Sequence, residues 1–492
     1  MERNNLLTIV IGALIIVITI PLVLYLMSEP EIEKEPLDPP RFMIPAFITE
    51  DGEADFYNDR IYFRDYSNMM HAISIIAAMS RTSEIGNPEY RDGRWHEHMG
   101  DRAQQWLNLM MATDSYFNEY GKFIEYYSAS GDKWLSSGST NLTDYPHGVY
   151  AYHFHHRGDR FSDFGNLEDQ LYRIPAKYIS DPGSYLLGEH YYRGRFGHAE
   201  GNVDHKSMSY GLGGLNGHFY AWVRWKKPGG ADDMGLVSLE RMIQFLGSGP
   251  EELTEISREI AEFLDKSWNQ NYRIYDFGDG FTWQLDAIGA MIRGHKSLYD
   301  MLYMFGDEQD KAMAQTLFER SLVIYQNVEP LIKPWGLPER ITFSTTGAEA
   351  GSETVDTYSW YQFLNHIDGG YSWLRERDGT SRFFERLNPE AKSAVNEMTD
   401  RALIGGMQYH INNGRLVSTV SYNDGSITDT RTGISATGMF ITFAGNHYTN
   451  GASFAQASDW NNASQDVVER SAELYDLMTM MYRQLEILLL QI

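Results

Sequence analysis

The sequence predicts a mainly helical domain with a small β-hairpin element, preceded by one N-terminal transmembrane helix. Three observations carry this: an uncharged apolar stretch at the start, recurrent runs with apolar residues at helical spacing, and one strong hairpin signal near the carboxyl end.

Leu6 to Met27, LLTIVIGALIIVITIPLVLYLM, carries no charge, and about 20 apolar residues suffice to cross the hydrocarbon layer of a bilayer. No small-x-small cleavage site follows it, so residues 1–27 are expected to be a cytoplasmic start and an uncleaved anchor. Arg3 precedes the span, while Glu29, Glu31, Glu33 and Glu35 follow it with Lys34 alone among them. That bias keeps the start cytoplasmic and turns the rest of the chain outward. Residues 28–41 are rich in proline and acid and read as an extended stalk. Residues 42–492 are expected to form an extracytoplasmic helical domain, and acceptor patterns for sugar attachment at Asn141 and Asn462 agree with that placement.

Within this domain YSNMMHAISIIAAMSRTSEI and HEHMGDRAQQWLNLMMATDSYF read as a helical pair. In GPEELTEISREIAEFLDKSW, Pro250 stands in a first-turn position, and Leu253, Ile256, Ile260 and Phe263 make an apolar stripe. A second pair follows, joined at FGDEQD, where Gly306 ends one helix and Asp307 caps the next. RLVSTVSYNDGSITDT alternates around Asn423-Asp424-Gly425 and predicts a hairpin; GMFITFAG and RITFSTTG predict further strands. The last segment places Leu474, Met478, Met481, Leu485, Leu488 and Ile492 on one seam, expected to pack against its own domain.

Composition narrows the chemistry. With 492 residues, 42% of them hydrophobic, the chain can bury a large core. A net charge of -26 repels phosphate backbones and excludes nucleic acid as a partner. The absence of cysteine excludes disulfides, thiolate ligands, iron-sulfur clusters and cysteine nucleophiles. No phosphate-binding loop, dinucleotide fingerprint, HExxH motif or nucleophile elbow is present.

SLYDMLYMFGDEQDKAMAQTLFERSL, preceded by DGFTWQLDAIGAMI, resembles the helix hairpins of the (α/α) toroid enzymes, a group with many glycoside hydrolases and polysaccharide lyases. The resemblance spans Tyr66 to Asn327 loosely and aligns no signature residue by residue. It implies an (α/α) toroid-like ring of helix pairs whose inner ends form a cleft lined by acids and aromatics.

Candidate residues fall into three sets. Eight of the 15 histidines lie between His147 and His218. If VYAYHFHH is extended, His153 and His155 share a face and could chelate one divalent metal together with His198. The same histidines read equally as acid-base groups or as hydrogen-bonded structure. A lyase needs a base, a group for the leaving oxygen and cations for a uronate, and His205, Tyr210, Arg193 and Arg195 are of those types. The glycine-rich stretch that holds them, Gly188 to Gly217, reads more simply as an irregular surface connection. A hydrolase needs two carboxyls about 5 to 9.5 Å apart. Asp276, Asp279 and Asp286 surround Trp283, and Glu349, Glu353 and Asp356 stand beside Trp360, with either tryptophan able to stack on a sugar. The catalytic candidates are therefore His205, Tyr210, Asp276, Asp279 and Glu353, with Arg193, Arg195, Trp283 and Trp360 for binding. The function expected is a membrane-anchored carbohydrate-active hydrolase or lyase, and the alternative is a non-catalytic surface protein that binds glycan or an envelope partner.

Overall fold

Short strands that run straight into helices organise the molecule. The computed structural model describes residues 41–82, 124–130, 133–136, 186–197, 202–226, 238–367, 401–452 and 471–491, with isolated positions between them. In chain order, β1 (Phe47–Ile48) and β2 (Ala54–Asp55) form a hairpin, and β3 (Arg60–Tyr62) leads into α1 (Phe63–Thr82) while pairing with β4 (Tyr126–Ser130), which pairs with β5 (Lys133–Ser136). Helices α2 (His205–Gly214), α3 (Asn216–Lys226), α4 (Leu239–Leu246) and α5 (Pro250–Ser267) follow. The hairpin β6 (Trp268–Asn269) and β7 (Ile274–Tyr275) precedes β8 (Thr282–Gln284), which enters α6 (Leu285–Phe305); α7 (Glu308–Val328) returns from it. Strands β9 (Arg340–Ser344) and β10 (Gly347–Ala350) complete a sheet with β8, and β11 (Thr354–Asp356) enters α8 (Thr357–Ile367). The hairpins of β12 (Ile411–Asn412) with β13 (Arg415–Leu416) and β14 (Thr419–Ser421) with β15 (Ile427–Asp429) lead to β16 (Thr432–Gly433), α9 (Ile434–Ala452) and α10 (Ser471–Gln491).

One device recurs at the start of the central helices. The first N–H of a helix has no partner inside the helix, and here the residue just before a strand of a distant segment supplies one. Phe63 N donates to Glu125 O, Leu285 N to Glu339 O, Thr357 N to Ser418 O and Ile434 N to Ala46 O, over 2.8 to 3.0 Å. Glu339 N donates in turn to Thr354 O, so the starts of α6 and α8 share one band of strands. The central helices pack in succession: α2 on α6, α6 on α8, α8 on α9 and α9 on α1. Outside them, α3, α5 and α7 pack on α6, and α10 packs on α9 and α1. The last strand before α9 pairs with β1, Phe47 opposite Gly433, and Arg431 locks the join by binding Asp429 and Asp55 at 2.7 and 2.9 Å over the Phe47 ring. A mainly helical body of packed helices agrees with the toroid resemblance.

Several sequence expectations are met. Asp307 caps α7 with a reciprocal bond to Asp310, Gly306 ends α6, and the Asn423-Asp424-Gly425 turn joins β14 to β15. Met478, Met481, Leu485 and Leu488 of α10 are buried. Others need correction. GMFITFAG is part of helix α9: a continuous apolar run has no period of its own, and every position from Thr432 to Ala444 is buried among helices. The buried face of α5 runs through Leu253, Ser257, Ile260, Ala261 and Leu264, leaving Ile256 and Phe263 half-buried. Thr254 and Ser257 turn inward because each hydroxyl donates to the carbonyl four residues back, at 2.6 Å. The glycine-rich stretch is a surface connection only in part: Arg193 and Arg195 stand exposed on a turn, whereas His205 to Gly214 are buried. That buried part is helix α2, and a Cβ added at Gly294 of α6 would overlap Leu212 of α2, so glycine lets these two helices approach closely.

The expected span at 6–27 and nearly all of the stalk lie outside the described residues. Among the described residues no helix is long and apolar enough to cross a membrane.

Candidate functional site

The starts of α1, α2, α6, α8 and α9 bring together a group of polar side chains. His205 is the first residue of α2. Asp204 caps this helix by accepting from Ser207 N at 2.7 Å, and Ser207 Oγ accepts from Asp204 N at 3.0 Å, which fixes the backbone that presents the imidazole. The residue is 8% exposed.

Its ring is held on three sides. Asp279 Oδ2 lies 2.5 Å from Nδ1 and also accepts from the His205 backbone N–H at 2.9 Å. Gln284 Oε1 lies 2.6 Å from Nε2. One ring face stacks on Trp283, with centroids 5.0 Å apart and planes 26° apart. Trp283 is itself backed by Phe277 at 5.9 Å, and Phe277 by Phe263 at the same distance, so the imidazole rests on a stack of rings. Asp279 reaches the histidine because the glycines on either side take positive φ, 88° at Gly278 and 95° at Gly280, and fold the loop back over α2. Partial burial pushes its carboxyl up, but the bonds from the His205 ring and backbone and the charge on the ring outweigh that and hold it below the ordinary carboxylate range.

A second group meets this one at the first turn of α6. Asp286, two residues beyond Gln284, is buried. Desolvation pushes the Asp356 carboxyl, at the start of α8, up to about 6; hydrogen bonds from Ser359 oppose the rise, and the charges of Glu339 and Asp286 add to it. Arg64 of α1 lies over the Tyr358 ring at 5.2 Å, with its Nε 3.7 Å from Asp65 Oδ1. Ser435 Oγ donates to the same Asp65 oxygen at 2.5 Å and accepts from Asn68 at 3.0 Å. Burial drives the Tyr358 hydroxyl well above its usual range, against the pull of Arg64. Four helices thus contribute carboxyl, hydroxyl or guanidinium groups at their first turns, where the partial positive charge of each helix start favours anionic groups.

Of the residues expected from sequence, the structure brings His205, Asp279 and Trp283 into one constellation. Trp283 is fully buried, so it supports the imidazole and offers no face to a sugar. Trp360 is 1% exposed and stacks on Phe363 in the core, which excludes it as a sugar platform. Tyr210 is 3% exposed and packs with Ala287 and Ala290 on the seam between α2 and α6. Asp276 accepts from Gly278 N at 3.0 Å and shapes the loop that carries Asp279. Glu353 is exposed, with its backbone oxygen accepting from Tyr422 N. Arg193 and Arg195 are exposed on a turn that Tyr191 pins to α5 through its hydroxyl bond to Glu259. His153, His155 and His198 lie outside the described residues. Of the other histidines in that region, His190 sits 3.2 Å from Gly197 O and His218 sits 2.6 Å from Ser248 Oγ. Among the described residues no group of three or more histidine or carboxylate side chains could hold a metal ion. Sequence reading passed over Arg64, Asp65, Gln284, Tyr358 and Ser435. Their common signal is position, at or just beside the junction where a strand becomes a helix.

No protein-family model matches the chain, and no curated protein does. Among solved structures the chain is similar to a D-mannose isomerase, with TM-score 0.44 and 9% identity over 81% of this chain and 90% of that one. It is similar to a sugar epimerase from a ruminal bacterium, with TM-score 0.46 and 11% identity over 83% and 93%. A possible GH105 family member from Salmonella enterica gives TM-score 0.34 and 11% identity over 68% and 89%. These are (α/α) toroid proteins. The likeness is one of general chain path and gives no residue a role.

Proposed function

We propose that the chain is a carbohydrate-active enzyme in which His205, oriented by Asp279, transfers a proton to or from the substrate during hydrolysis or elimination. The observation that carries this is the held imidazole at the helix-start face. An ionised Asp279 only accepts, so its 2.5 Å contact places a proton on His205 Nδ1. Nε2 is then the nitrogen that takes up and releases a proton, and the carboxylate stabilises the ring when it is charged. The buried Trp283 face fixes the ring plane, which reduces the motion the ring must lose on reaction. The raised carboxyl of Asp356 supplies a second proton-carrying group on the same face. An outward-facing, membrane-anchored placement is part of the proposal and is supported by the apolar stretch at 6–27 and the acidic flank after it.

The test is a screen of neutral and uronate-containing polysaccharides with the full chain. New reducing ends without ultraviolet absorbance mark hydrolysis, and absorbance from unsaturated uronates marks elimination. Loss of either signal in His205→Ala supports the role given to His205. Retention of a polysaccharide without turnover would instead make the protein a glycan binder.

A further inference from the structure

Gln284 is the last residue before α6 and holds the N-cap position, where a short polar side chain ordinarily accepts from the helix's exposed N–H groups. It makes no such bond. The task is divided among others: Leu285 N donates to Glu339 O at 2.9 Å, and Ala287 N donates to Asp286 Oδ1 at 2.8 Å. Gln284 turns toward α2 and meets His205 Nε2 at 2.6 Å. An amide is suited to that place because it has two ends. Its oxygen accepts from a protonated Nε2, and turned over, its NH2 donates to a bare one. Asp279 already holds Nδ1, so Gln284 is the group that meets the working nitrogen in either state.

We propose that Gln284 is a positioning residue that holds the Nε2 proton of His205 between turnovers and keeps the imidazole aligned for transfer. The inference rests on the reading of His205 as the proton-transferring group, and its test separates the two. In the full chain labelled with 15N-histidine, with the His205 signals assigned by their loss in His205→Gln, the wild-type protein shows a hydrogen-bonded Nε2–H beside the Nδ1–H held by Asp279. Gln284→Met keeps the length of the side chain and removes both its donor and its acceptor. The expected result is loss or a marked shift of the Nε2–H signal with the Nδ1–H signal in place, and a fall of about ten-fold in kcat at near-constant KM. Gln284→Glu, which restores an acceptor, brings the Nε2–H signal back further downfield. A Nε2 signal unchanged in Gln284→Met overturns the inference, because a merely structural glutamine would change thermal stability and leave that resonance alone. Loss of the Nε2 signal in a protein with no turnover on any polysaccharide upholds the hold on His205 and overturns the catalytic reading.

Discussion

Histidines at the helix-start face and in the walls of the fold are held by the same number of ring hydrogen bonds from partners of different kinds. His205 lies between a carboxylate and an amide at the edge of the solvent. His410 is fully buried: its Nδ1 accepts from the Tyr361 hydroxyl at 2.8 Å and its Nε2–H donates to Trp335 O at 2.9 Å. Desolvation pushes His410 down to about 4, against the Trp335 carbonyl, which favours the charged ring. His295 lies between the Tyr275 hydroxyl and Ser321 Oγ, and desolvation with the Arg320 charge pushes it down to about 3. Neutral partners under full burial lock a histidine in one state and make it structure. His205 differs in having a carboxylate, Asp279, on one ring nitrogen, and that contrast is the one the proposed role draws on.

The comparison breaks most sharply at His205. His205→Ala is expected to lower turnover by about 10²- to 10⁴-fold, the usual range for a positioned acid or base, while the thermal midpoint moves by only a few degrees; a large midpoint shift with modest loss of rate would place His205 with the wall histidines. Next in size is the seam beneath it. Gly294→Ala puts a methyl into Leu212, and overpacking of this kind costs about 1–3 kcal/mol, readable as a lowered denaturant midpoint together with reduced turnover because α2 carries His205.

Acid sharpens the contrast for the wall histidines. Their folded values lie below the unfolded value of about 6.5, so burying them neutral contributes stability that is full above that pH and is lost as pH falls toward about 4 for His410 and about 3 for His295. The thermal midpoint of the wild-type protein should therefore fall between pH 7 and pH 4. His410→Gln should start lower at pH 7 and show a shallower fall, and an equally steep one would exclude His410 as a source of the slope. The smallest expected effect concerns Asp279. Its depressed carboxyl contributes stability above about pH 4, the ordinary carboxylate value, that is lost as pH falls through its folded value. Hydrogen exchange in the 276–282 loop should then rise in strong acid in the wild-type protein and already be raised at pH 7 in Asp279→Asn.

Much of the helical framework was legible because local chemistry announces it. Pro250 at the start of α5, Asp307 at the cap of α7 and the Asn423-Asp424-Gly425 turn act within four residues of where they stand. The site was legible in part. His205, Asp279 and Trp283 were named, yet for separate reasons: the histidine for a lyase, the aspartate for a hydrolase and the tryptophan for sugar stacking. Their meeting depends on 74 residues of separation between His205 and Asp279 being closed by the packing of α2 on α6, and no local pattern encodes that. Aromatics misled because a tryptophan's affinity for a sugar face and for a hydrophobic core are written with the same letter; burial alone separates Trp360 from a binding residue.

The sequence by itself determined the α6–α7 helix pair, its caps, the sign of the surface charge and the chemistries closed to a chain without cysteine, since these follow from composition and from contacts a few residues long. Only the tertiary structure decided which helix starts stand together, which distant carbonyl completes each of them, and which of the candidate histidines, carboxyls and tryptophans face one another. Those outcomes rest on contacts hundreds of residues apart, such as Phe47 with Gly433 and Asp65 with Ser435, whose energies arise only once the helices have packed.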